Sequence, residues 1–266
     1  MNRRLPARAA VSLALLIAGC GGPADHGPVE AGGADDQAAK APLALVEALS
    51  GTWMPEDYCA CLERHRSAYT CGSLLREIYV MIVTPMGPDS LEWGYITTHE
   101  GGPMVMLGYD PASGAFTYRS REDEYLGYQV ITIRSIDPDH LEWIADGNKS
   151  PVRFRRVESA EAMLNSALFE GRYALEGDTG LVLFRRDGTV DGLPGIDRFM
   201  VLTDFTEGLD DRDIVFLYAG EYDWSTDAFH YRSEGNELLF FPMDTTAEEY
   251  VYQMGELKYR LRRLAE

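Results

Sequence analysis

The chain has 266 residues, 45% apolar and 25% charged, a composition that folds and that excludes the collagenous and disordered classes. Its 24 basic residues stand against 43 acidic ones, a net charge of −19, so phosphate backbones are repelled and a nucleic-acid partner is not expected. The same sign disfavours adsorption to anionic lipid, so any membrane attachment needs a separate anchor.

The N-terminus supplies one. Arg3, Arg4 and Arg8 form a positive segment without an acid, and Ala9 to Ala18 form an apolar stretch of ten, the pattern of a secretion signal. Ten residues are about half of what a bilayer-spanning helix needs. No other stretch is long and apolar enough to span. The stretch ends Leu16-Ile17-Ala18-Gly19-Cys20, an aliphatic residue and two small ones before a cysteine, which resembles the bacterial lipobox. The resemblance implies a lipoprotein signal peptide over 1–19, cleavage before Cys20, and acyl chains on its thiol and new amino group. Several such chains anchor a protein stably to a membrane where one does not. Residues 20–42 then comprise the lipidated cysteine and a tether rich in Gly, Ala, Pro and Asp, reaching roughly 25 Å root-mean-square. Gly21, not Asp, follows the cysteine, which is similar to outer-membrane lipoproteins of enteric bacteria. The expected location is the cell envelope, facing the periplasm or the surface.

The remainder contains an internal repeat. Leu49-Ser50-Gly51-Thr52-Trp53 matches Phe169-Glu170-Gly171-Arg172-Tyr173, each after a short helical stretch, Leu43–Ala48 and Ala160–Ala167. Val152-Arg153-Phe154-Arg155-Arg156-Val157 matches Tyr259-Arg260-Leu261-Arg262-Arg263-Leu264, with three arginines in corresponding places. Two domains follow, 43–157 and 164–264, joined by Glu158–Met163. Their starts are 120 residues apart and their ends 107, so the first is longer by 13, and Asp57–Thr70 reads as the insertion.

Alternating apolar patterns predict strands in close succession. In the first domain they are Thr52–Pro55, Leu74–Thr84, Leu91–Thr98, Met104–Tyr109, Ala115–Arg119, Tyr128–Ser135, His140–Ala145 and Val152–Val157. In the second they are Arg172–Leu175, Leu181–Arg185, Thr189–Asp191, Arg198–Thr203, Asp213–Ala219, Glu221–Trp224, Ala228–Arg232, Glu237–Pro242 and Gly255–Leu264. Asp187-Gly188, Pro111-Ala112-Ser113-Gly114 and Asp146-Gly147-Asn148 supply turns between them. The class is all-β, with about eight antiparallel strands per domain closing an up-and-down barrel; a β-sandwich is the alternative.

A short helix, Gly-x-aromatic on the first strand and an arginine on the last together resemble the lipocalin-like (calycin) barrels. In that family the arginine packs over the first-strand aromatic and closes the barrel base. The resemblance pairs Trp53 with Arg156 and Tyr173 with Arg263, although tyrosine replaces the usual tryptophan in the second copy. Gly51-Thr52-Trp53-Met54-Pro55-Glu56-Asp57-Tyr58 with His99-Glu100-Gly101-Gly102 is also similar to a group of uncharacterised bacterial lipoproteins.

Cys59, Cys61 and Cys71 would meet an oxidising compartment after export, and three thiols cannot all pair within the chain. One disulfide from Cys71 to Cys59 or Cys61 is expected. A metal site using these cysteines and His65 lacks zinc-finger or zinc-ribbon spacing, so no metal is assigned. His99 and Glu100 stand at a strand end before two glycines, either as ligand-binding groups at a barrel mouth or as a turn with Pro103 stopping the ladder. Glu207, Asp210, Asp211 and Asp213 crowd one loop without calcium-loop spacing and read as solvated. Leu91-Glu92-Trp93-Gly94-Tyr95 and Leu141-Glu142-Trp143 put aromatic residues at alternate strand positions, hence on one face, and Trp93 and Trp143, with Tyr58, are the candidate ligand-lining aromatics. No nucleophile elbow, phosphate loop or dinucleotide fingerprint occurs, so no catalytic residue and no cofactor is assigned. The leading expectation is a lipid-anchored envelope protein binding a small apolar or amphipathic ligand in a barrel. The alternatives are an interaction or inhibitor module with filled barrels, its protein partner unidentified, and a hydrolase with a dispersed carboxylate and histidine site.

Overall fold

The computed structural model describes residues 41–75, 78–119, 129–146, 150–204, 212–222, 227–246 and 251–265. Residues 1–40, with the signal segment and Cys20, lie outside that set, as do Gly147, Asn148, Glu207, Asp210, Asp211 and Trp224. From Ala39 onward the chain is one compact unit. Its first half runs α1 (Leu43–Leu49), β1 (Gly51–Pro55), α2 (Glu56–His65), α3 (Ala68–Gly72), β2 (Val80–Pro85), β3 (Ser90–Ile96), β4 (Gly101–Asp110), β5 (Ala115–Arg119), β6 (Val130–Asp137), β7 (His140–Ala145) and β8 (Val152–Val157). Its second half runs α4 (Ala160–Leu168), β9 (Gly171–Leu175), β10 (Leu181–Phe184), β11 (Val190–Asp191), β12 (Arg198–Val201), β13 (Ile214–Tyr218), β14 (Ala228–Glu234), β15 (Glu237–Thr246), β16 (Val251–Met254) and β17 (Tyr259–Arg263).

Strands β1 to β8 pair antiparallel in chain order, and β8 returns to β1 through Thr52–Val157, Trp53–Arg156 and Pro55–Phe154, closing a barrel. In the second half, β9 to β15 and β17 form the matching circuit, with β17 pairing β9. Its two edges, β11 and β12, meet at a single Thr189–Arg198 bridge, where the Phe199 N–H donates to Gly188 O at 2.8 Å. The second barrel is therefore nearly closed. The protein is all-β, two eight-stranded antiparallel barrels in tandem. The β1–β8 pairing leaves the first sheet no free edge, which sets it apart from a sandwich.

Several elements depart from the sequence pattern. Strand β2 begins only at Val80, because Ala68–Gly72 is helical and Leu75 is buried against the same core. Glu221 and Tyr222 are in no strand. The final strand is shorter than Gly255–Leu264, spanning Tyr259–Arg263 as β17, and β16 at Val251–Met254, which the pattern did not mark, pairs β15 beyond the barrel. Pro103 does not stop the ladder: it lies inside β4, opposite the irregularity between Gly94 and Ile96, where a missing N–H is tolerated.

The insertion forms a helical pair. Tyr58, Cys59 and Leu62 bury one face of α2, Glu56 and Asp57 favour its N-terminal dipole, and Arg64 and His65 its C-terminus. Ser67 caps α3 by accepting the Thr70 N–H at 2.9 Å. The disulfide joins Cys61 to Cys71 and leaves Cys59 a free, buried thiol. With Met54, Tyr79 and Val80, this pair shares one continuous apolar cluster with the interior of the second barrel, while the first barrel's interior forms its own cluster. The insertion thus joins the two barrels.

Candidate functional site

Each barrel base is built from the repeated residues. Arg156 lies over the Trp53 ring with its guanidinium carbon 4.3 Å from the centroid. Its fork donates to Pro138 O at 2.9 Å, to Ala48 O at 2.6 Å and to Ser50 O. Arg263 lies 5.8 Å from the Tyr173 centroid and donates to Glu170 O. The two aromatics make the same bond to the preceding turn, Trp53 Nε1 to Leu49 O at 3.0 Å and Tyr173 OH to Phe169 O at 2.7 Å. Gly51 and Gly171 have φ of +134° and +147°, and a Cβ there would stand 2.6 Å and 2.9 Å from the arginine nitrogens. Glycine is needed for backbone conformation and for room.

The second barrel's interior is occupied by rings. Phe169 sits at the centre, with centroids of Tyr231 at 4.8 Å, Phe199 at 5.3 Å, Phe184 at 5.8 Å and Phe240 at 6.1 Å. All five are buried. Such separations are those of packed aromatic pairs. In the first barrel, Trp93 and Trp143 stack with centroids 6.5 Å apart and planes 10° apart, beneath Tyr95 at 5.2 Å from Trp93. The Trp93 Nε1 is buried without a hydrogen-bond partner.

The sequence candidates do not converge. Trp93 and Trp143 share the first barrel's interior. Tyr58 lies on α2 in the inter-barrel core, edge-on to Tyr79 at 6.1 Å, its hydroxyl buried and without a partner. Burial raises its pKa well above the ordinary phenol value. His99 and Glu100 lie at the β3–β4 turn, where Thr97 Oγ1 accepts both of their N–H groups, and His99 Nδ1 contacts Asp204 at 2.6 Å. Cys59 lies beside Arg155, but burial outweighs that cation and pushes the thiol up to about 11. It stays protonated near neutrality and is a poor nucleophile. Among the described residues, no cluster of three or more His, Cys, Asp or Glu could hold a metal.

Sequence reasoning read Asp213 as solvated, and the structure corrects it. Asp213 fastens the insertion to the second barrel: its carboxylate accepts the Tyr69 N–H at 2.8 Å and the Tyr231 hydroxyl at 3.2 Å. His230 Nδ1 contacts Asp213 O at 2.9 Å. Burial raises the Asp213 pKa and outweighs these donors. The folded state therefore holds this proton more tightly than the unfolded chain. The resulting stability is present below the ordinary aspartate value of about 3.9 and is lost as pH rises through the folded value. Asp213→Asn keeps an acceptor and removes the charge, so at about pH 7 its melting temperature should equal or exceed the parent's, with a flatter dependence on pH. Asp213→Ala should melt lower because the Tyr69 N–H loses its acceptor. Thermal melts of the two variants across pH check this.

Comparison with known proteins returns no matching family model, no matching curated protein and no matching solved structure.

Proposed function

We propose that this is a lipid-anchored cell-envelope protein whose two lipocalin-like barrels are filled and act as a non-enzymatic interaction module. The observation that supports the reading is the ring packing around Phe169, which sets five buried rings at contact distance within the second barrel, the arrangement of a side-chain-filled interior. The arginine-over-aromatic closure at both bases supports the lipocalin-like kinship. The lipobox-like Leu16–Cys20 supports the anchor, most naturally in the outer membrane given Gly21. With fixed interiors, recognition passes to the outer walls. The acidic surface suits a cationic protein, since opposite charge speeds encounter and selects partners.

A second reading rests on Trp93. A buried indole N–H without an acceptor costs about 1–3 kcal/mol, and a small apolar ligand carrying one acceptor oxygen would satisfy it inside the first barrel. Native mass spectrometry of the purified protein separates the two. The filled reading predicts the bare polypeptide mass plus acyl chains; a stoichiometric retained molecule would replace it with the ligand reading. Cys20→Ala should abolish incorporation of labelled fatty acid, and label persisting on that variant would remove the anchor.

A further inference from the structure

We propose that the cleft between α2, α4 and β17 binds a small organic anion, one carboxylate on a compact apolar body, held by Arg66 and Arg263. The cleft has a volume of about 230 Å³ and is lined by Glu63, Arg66, Met163, Ser166, Ala167 and Arg263. That is room for about eight water-sized groups. It lies outside both barrels, so the proposal stands whether or not their interiors are filled.

The charges are arranged for an anion. Arg134, Arg153, Arg155, Arg185, Arg186 and Arg260 each meet a carboxylate, as expected with 43 acids to 24 bases. The Arg66 backbone N–H closes α2 by donating to Leu62 O at 2.8 Å, and its guanidinium meets no carboxylate among the described residues. The Arg263 guanidinium gives one N–H to the Glu170 carbonyl and likewise meets no carboxylate among the described residues. The nearby acids are already engaged: Glu63 with Arg155 at 2.7 Å, and Glu170 with the Ser166 hydroxyl at 2.6 Å. Two guanidinium groups therefore border one concavity without an ion pair among the described residues, and its one lining carboxylate, Glu63, is paired with Arg155.

The backbone at Arg66 turns its side chain onto this cleft. It is the one non-glycine residue with positive φ, at 52°, among the described residues, and it ends α2 in the left-handed region. Glycine or asparagine is the usual occupant of such a helix end. A guanidinium fork matches a carboxylate with two parallel hydrogen bonds, and Met163 and Ala167 supply the apolar wall for the body attached to it.

The test is titration of the full chain with 4-fluorobenzoate and its neutral counterpart 4-fluorobenzamide, followed by fluorine NMR. The expected result is saturable benzoate binding with a Kd of about 1 mM or tighter, and benzamide at least tenfold weaker. Arg66→Asn, which suits the left-handed conformation, should weaken benzoate about tenfold with the melting temperature kept or raised, and Arg66→Lys should fall between. Ser166→Tyr, which leaves both arginines in place but fills the cleft, should abolish binding. Equal binding of the two probes, unchanged affinity in Arg66→Asn, or no saturation by about 10 mM would each overturn the proposal.

Discussion

Replacing Arg156 with lysine is expected to destabilise the protein by about 2–3 kcal/mol while leaving its charge unchanged. The guanidinium reaches three backbone carbonyls, Ala48, Ser50 and Pro138, while its face lies on Trp53. A lysine ammonium can stand over the indole or serve some of those carbonyls, but it has no planar fork with which to do both. At the second base, Arg263 makes one such bond and lies farther from its ring, so Arg263→Lys should cost about 1 kcal/mol. Arg153 on the same strand as Arg156 is half exposed and meets only Glu56, and Arg153→Lys should stay within about 0.5 kcal/mol. Gly51→Ala should reproduce the Arg156 defect, because the added methyl takes the space of a guanidinium nitrogen. Denaturant titrations of the four variants measure the order. Equal losses for Arg156→Lys and Arg153→Lys would dismiss the closure as an energetic feature.

Phe169→Ala should be costlier, about 3–5 kcal/mol, the range for truncating a fully buried phenylalanine. Phe169 enters from the end of α4 and touches rings from β10, β12, β14 and β15, so its loss removes contacts to four strands at once. The hole left behind is walled by aromatic side chains and should remain dry, and a dry apolar cavity binds benzene. Benzene should therefore raise the melting temperature of Phe169→Ala and leave the parent unchanged. Stabilisation of the parent by benzene would mean that a cavity already exists.

The barrels were legible because their strands carry period-two patterns and their ends carry glycine, an aromatic and arginine at fixed offsets. His140–Ala145 and Val152–Val157 coincide with the strands seen. Where the pattern misled, a competing constraint won. A helix pair held by the disulfide runs on to Gly72, so the strand expected from Leu74 begins only at Val80, and a bulge absorbed Pro103 into β4. The Cys61–Cys71 pairing was one of two open choices, since loops closed from residues 59 and 61 differ by only two residues and the choice rests on which helix face each occupies. The junction was not legible at all. Asp213 lies 144 residues from Tyr69, and Arg66 about a hundred from Met163, so no local pattern connects them. Only a left-handed turn ending at Ser67, itself a capping residue, placed Arg66 on the cleft.

The most direct test of filled barrels is a crystal of the parent protein under xenon pressure, beside one of Phe169→Ala. Xenon enters apolar voids without needing a hydrogen bond, so it reports empty space and not chemistry. The account predicts no xenon inside either barrel of the parent and one site at the vacated ring position in Phe169→Ala. Xenon bound within a barrel of the parent, above all beside Trp93, would contradict it and make that barrel a ligand chamber.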